Sequence, residues 1–142
     1  MARSFSRRAL PIVAGVFAAA CLFQVFLAGL GVFDDPASFI THRNFGYLLG
    51  WFTLAILILA LVGREPRTIV GFAVLLLVQL TLQSVFVGLR EDYPAIAALH
   101  PVNGFLILAN GAVITRLSWL VRHEAAPASA PEPSVTATAE AL

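Results

Sequence analysis

Residues 83–104 read QSVFVGLREDYPAIAALHPVNG. The stretch closes one apolar run with Gln83 inside it, crosses a short loop carrying Arg90, Glu91 and Asp92, and opens the next run with His100 followed by proline. An earlier copy of the pattern exists. Gln24, Gly29, Leu30, His42 and Gly46 are followed 59, 59, 59, 58 and 58 positions later by Gln83, Gly88, Leu89, His100 and Gly104. Both copies read Gln-x4-Gly-Leu, a loop, then His-x3-Gly. The repeat predicts two helix hairpins of one plan, each carrying a histidine to the same membrane level.

Working outward, the remaining chain is nearly as apolar. Of 142 residues, 59% are hydrophobic and 12% charged, and the mean hydropathy is +0.87. That composition cannot supply the polar surface of a water-soluble domain of this size. Four apolar runs, at about 9–33, 45–62, 68–89 and 97–121, each approach the roughly 20 residues that span a bilayer core. Backbone polar groups in lipid must be satisfied within the segment, so the runs are expected to be helices. The expected organisation is a four-helix transmembrane domain over 1–122 and a tail over 123–142.

The first run has the basic start of a signal peptide, and Ala18, Ala19, Ala20 and Cys21 faintly resemble a lipoprotein cleavage box. Its apolar stretch continues to Phe33, longer than the roughly 7–15 residues of a signal core, and is read as an uncleaved first helix. Cys21 is then a small packing residue. As the single cysteine it excludes an internal disulfide.

Topology follows from arginine. Arg3, Arg7, Arg8, Arg64, Arg67, Arg116 and Arg122 fall on one side of a four-span arrangement, and Arg43 and Arg90 on the other. The positive-inside rule then places both termini in the cytoplasm of a multi-pass protein of the cell inner (plasma) membrane. The basic N-terminus sets orientation and is too short to suggest nucleic acid as a partner. Beyond Arg122 the sequence HEAAPASAPEPSVTATAEAL lacks apolar periodicity and is expected to be a disordered cytoplasmic tail.

Short connections make successive helices antiparallel, giving an all-α up-down-up-down bundle. Spans two and four are then diagonal, and both open with a histidine at the outer face. Neighbouring axes about 8–10 Å apart leave a diagonal of roughly 12–14 Å, which suits a planar macrocycle between two axial imidazoles. Gly46 and Gly104 lie one turn deeper on the histidine face, and Gly50 extends the smooth strip. Pro101 occupies a first-turn position, where its missing N–H costs nothing. The bland reading has interfacial histidines, a Gly46/Gly50 pair that only lets helices pack closely, and glutamines that hydrogen-bond across helices. The coincidence of depth, diagonal, glycine and upstream glutamine favours a ligand pair.

These residues carry a resemblance. LTLQSVFVGL, the loop and LHPVNGFLILANG resemble the third and fourth helices of one half of haem A synthase, and His42-Arg43 is similar to its His-Arg at the second helix. The resemblance implies a four-helix unit that holds haem. The chain departs from that family in having one unit, no glutamate in 36–41 and no outer-loop cysteine pair, which argues against haem A synthesis. The chain also resembles small uncharacterised bacterial four-span proteins, a likeness that implies no activity.

The expected function is a membrane-embedded haem b protein with His42 and His100 as axial iron ligands, transferring electrons with a quinone or a partner redox protein. Gly46 and Gly104 would admit the ring, and Arg43 and Arg90 would meet its propionates. The alternative is a cofactor-free membrane protein that acts as a packing or assembly partner. No serine-histidine-acid set, metal-hydrolase motif or phosphate loop marks an enzyme. The absence of charge deep in any span weakens a proton-coupled transporter. The bilayer is the expected surrounding, and a homo-oligomer is left open.

Overall fold

The computed structural model describes residues 1–124. The tail expected over 123–142 lies, beyond Glu124, outside the described residues. The chain is all-α: α1 Ala2–Phe33, α2 Ser38–Gly63, α3 Arg67–Gly88, a one-turn α4 Pro94–Ala97, and α5 Leu99–Glu124. Four helices are long and apolar enough to cross a membrane. This is the architecture of a multi-pass membrane bundle.

The helices outrun the apolar windows at their polar ends. α1 starts at Ala2, not near residue 9, and α2 starts at Ser38, not near residue 45. Hydropathy detects only the lipid-facing part of a helix. Thr41, His42, Arg43 and Asn44 are polar but helical, so His42 sits in the second turn of α2. The α1–α2 connection is fixed locally, because the Ala37 N–H donates to Asp35 Oδ1 at 2.9 Å. His100 is the second residue of α5 and Pro101 the third.

α1 packs on α2 and α5, and α3 packs on the same two helices. The bundle is therefore a square with α2 diagonal to α5. Within lipid, apolar burial gives helices no drive to associate, so close packing and polar contacts must hold them together. Phe17 of α1 is fully buried. It reaches α5 because Gly111 has no side chain: a Cβ there would stand 3.0 Å from the Phe17 ring. Cys21 belongs to the same buried cluster, as expected for a packing residue. The outward faces carry exposed Phe5, Phe33, Leu54 and Trp51, which suits contact with acyl chains.

The α2–α3 turn is a tight cap. Arg64 adopts the left-handed conformation at φ 51°, ψ 50°. The Glu65 N–H donates to Ala60 O and the Arg64 N–H to Leu61 O, both at 3.0 Å, the paired bonds of a Schellman motif. The turn also buries Glu65, whose Oε1 lies 3.4 Å from Arg7 Nε of α1.

Candidate functional site

Each histidine is positioned by the helix that precedes it in its own half of the repeat. His42 Nδ1 lies 3.1 Å from the Gln24 carbonyl oxygen of α1. His100 Nδ1 lies 3.3 Å from the Gln83 carbonyl oxygen of α3. A carbonyl can only accept, so in both bonds Nδ1 donates. Each ring is thereby held as the tautomer whose Nε2 carries a free lone pair. An Nδ1–H bonded to a backbone carbonyl is a common way to orient a metal-binding imidazole.

The bundle brings the two rings together. Their centroids are 6.1 Å apart and their planes inclined by 63°. The helices that carry them do not pack on each other, so the rings meet across the diagonal. Phe39 flanks His42 edge-on at 6.2 Å. Both histidines are partly buried.

The glutamines are central to this arrangement, and they sit in the C-terminal third of α1 and of α3. Gln24 Nε2 donates to the His42 carbonyl at 2.7 Å. Gly46 is what lets that amide in, since a Cβ at Gly46 would stand 3.0 Å from Gln24 Nε2. Gly104 faces Gln83 Nε2 in the same way, at 3.4 Å. The space beside both glycines is therefore taken by a glutamine amide of the neighbouring helix. Gly50 instead faces Leu80, at 3.8 Å. Arg43 is exposed. Arg90 is also exposed, its guanidinium donating to Glu91 Oε1 at 3.1 Å.

Below His100 lies a polar ladder that the repeat did not announce. Asn103 Nδ2 donates to Gln79 O at 2.8 Å and to Gln83 Oε1 at 2.9 Å. One rung deeper, Asn110 Nδ2 donates to Gln79 Oε1 at 2.8 Å and to Phe72 O at 3.2 Å. Gln79, Asn103 and Asn110 are all buried. Asn110 Oδ1 has no partner. The first hairpin has no such ladder: the position matching Asn103 is Phe45, and Gln24 Oε1 is buried without a donor. Helical spacing was the available signal, since Gln79 and Gln83 are four apart and His100, Asn103 and Asn110 share one face.

Among the described residues no three histidine, cysteine or acidic side chains group as metal ligands. The donor set here is two imidazoles and no carboxylate or thiolate. Two imidazole nitrogens alone are an incomplete ligand set and a poor site for a bare cation.

Residues 24–89 are similar to a family of unknown function, DUF6220. That stretch holds Gln24, His42 and Gln83 but stops short of His100. No curated protein and no solved structure matches the chain.

Proposed function

We propose that the chain is a b-type haem protein of the membrane in which His42 and His100 are the two axial ligands. One observation carries this reading: two imidazoles from diagonal helices, each with Nδ1 tied to a glutamine carbonyl and Nε2 free, lie with centroids 6.1 Å apart. Two imidazoles this close, each with an unshared Nε2 lone pair, are the residues that would hold a haem iron between them.

Within this reading the residues have distinct tasks. The Gln24 and Gln83 carbonyls fix the tautomer and orientation of the rings and raise their basicity. Gly46 and Gly104 seat the glutamine amides beside the ligands. Arg43 and Arg90, both exposed near the histidine end, would supply guanidinium groups for the propionates, and Arg90 meets Glu91 in their absence. Haem supplies reversible one-electron chemistry when bound. With both histidines holding its iron, the group would favour electron transfer over oxygen binding, with a quinone or a membrane redox protein as the exchanging partner. The arginine asymmetry supports an inner-membrane location with both termini cytoplasmic.

The Gln–Gly contacts and the Asn–Gln ladder would serve equally in a cofactor-free packing protein, the second reading. The test is direct. Protein purified from a haem-replete host should be red, show a low-spin b-type spectrum and, when reduced, resist carbon monoxide. A colourless, folded protein overturns the haem reading and leaves the packing protein.

A further inference from the structure

The opposite end of the bundle carries a second candidate site, whose lining includes no histidine, although His123 lies against its Trp119. α1 and α5 leave a groove of about 320 Å³ between them, floored by Gly15 and Ala18 and walled by Ala112, Thr115 and Trp119. Its lining is apolar apart from Thr115 and Arg116. Further along the same seam lies a cavity of about 540 Å³ lined by Ser4, Arg7, Arg8 and Arg122. The two meet at one contact, the Arg122 guanidinium standing 5.3 Å from the centre of the Trp119 ring. Arg7 is partly neutralised by Glu65. Arg8 and Arg122 have no acidic partner among the described residues, so the cavity keeps a formal charge of about +2.

The dimensions fit one kind of occupant. From Arg122 to Ala112 is ten residues of helix, about 15 Å at 1.5 Å per residue. One leaflet of a bilayer contributes about the same depth of hydrocarbon. A basic cavity at one end of the bundle, joined through the Arg122–Trp119 contact to an apolar groove along the same pair of helices, matches the polarity of an anionic amphiphile. Small side chains on both helices open the groove, and two guanidinium groups without an acidic partner favour a net-anionic headgroup over a zwitterionic one, whose phosphodiester is offset by its own ammonium.

We infer that the α1–α5 seam is a binding site for an anionic phospholipid of the leaflet that meets the basic end. The phosphodiester lies between Arg8 and Arg122, and an acyl chain runs along Gly15, Ala18 and Ala112 past Trp119. The site does not depend on the haem reading, since none of its residues touches the histidine end.

Trp119 is a built-in reporter. The chain has two tryptophans, and Trp51 is 71% exposed on α2, so the experiment uses Trp51→Phe protein reconstituted in vesicles. Brominated acyl chains quench a tryptophan they touch. A minority of brominated phosphatidylglycerol in phosphatidylcholine should quench Trp119 as though enriched roughly tenfold over the bulk, whereas brominated phosphatidylcholine at the same fraction in phosphatidylglycerol should be depleted. Arg8→Gln/Arg122→Gln should equalise the two lipids, and Arg8→Lys/Arg122→Lys should keep part of the preference. Ala112→Phe should lower quenching by either lipid by filling the groove. An unchanged helical circular dichroism spectrum shows that the variants are folded. Equal quenching by both lipids in the parent protein, or an undiminished preference in the folded Arg→Gln pair, overturns the site.

Discussion

The imidazoles of His42 and His100 stand 6.1 Å apart although α2 and α5 are not packing neighbours. Only side chains close the diagonal at that level, and each is aimed by a carbonyl on a third or fourth helix. All four long helices therefore contribute to the pair. If the pair ligates haem, His42→Ala and His100→Ala should each abolish the low-spin signal, because one axial bond cannot replace two. His123 lies at the far end of α5 beside Trp119, with ring centroids 4.9 Å apart. His123→Ala should leave the absorption spectrum unaltered, and a loss of low-spin haem in that variant would contradict the assignment.

The glutamine side chains and the glutamine carbonyls make separable contributions. Gln83→Leu removes the Oε1 that accepts from Asn103, but leaves the carbonyl that orients His100. Asn103 keeps its bond to Gln79 O. The expected cost is about 1 kcal/mol of stability, the usual worth of an interhelical side-chain hydrogen bond in a membrane. The absorption maxima of any bound haem should stay in place. Thermal unfolding and the spectrum, read on the same sample, check both halves. A shifted spectrum at unchanged stability would show that the side chain, not the carbonyl, sets the ligand.

Much of this was legible in the chain. The Gln-x4-Gly-Leu and His-x3-Gly repeat held, in its own residues, the diagonal relation of His42 and His100 and their shared depth. What it could not give was the partner of each glycine. Gly46 and Gly104 read as a smooth strip, and only packing shows that Gln24 and Gln83 occupy the space beside them. The ladder through Asn103 and Asn110 follows helical spacing, but its partners Gln79 and Gln83 lie on α3 and are met only once α5 packs against it. Glu65 was legible as part of a turn but not as buried. Its pairing with Arg7 spans 58 residues and exists only once α1 lies against the α2–α3 turn.

The ladder predicts strong non-additivity. Asn110→Leu alone leaves Gln79 Oε1 buried without its donor, and Gln79→Leu alone leaves Asn110 Nδ2 with only Phe72 O. Each single change should destabilise by about 1–2 kcal/mol, since an orphaned buried group incurs its desolvation penalty with no bond to offset it. The double Leu variant should cost less than the sum, because both unpaired groups are gone together and Asn110 Oδ1 has no partner to lose. A double-mutant cycle on unfolding in detergent measures this. Additive costs would mean that the amides do not interact.

Arg64 predicts a gain. It is the only non-glycine residue with positive φ among the described residues, and it stands where a Schellman cap favours glycine. Left-handed backbone costs an ordinary residue about 1 kcal/mol or more, so Arg64→Gly should stabilise the bundle by up to about 1 kcal/mol, partly offset by the extra freedom of glycine when unfolded. A clear loss of stability would show that the Arg64 side chain makes a contribution larger than the relieved strain.

Gly31 gives a prediction whose sign depends on its neighbour. A Cβ built there would stand 2.7 Å from the Phe39 ring, closer than packed carbons tolerate. Gly31→Ala must therefore push Phe39 off α1, and Phe39 flanks His42 edge-on. Overpacking of this kind costs about 1–3 kcal/mol. In a Phe39→Ala background the obstacle is gone. There the same Gly31→Ala change should be neutral or stabilising by up to about 1 kcal/mol, the ordinary advantage of alanine over glycine inside a helix. Measuring the four proteins of this cycle separates the two effects. If Gly31→Ala destabilises equally with and without the Phe39 ring, the contact between Gly31 and Phe39 is not what requires glycine at the end of α1.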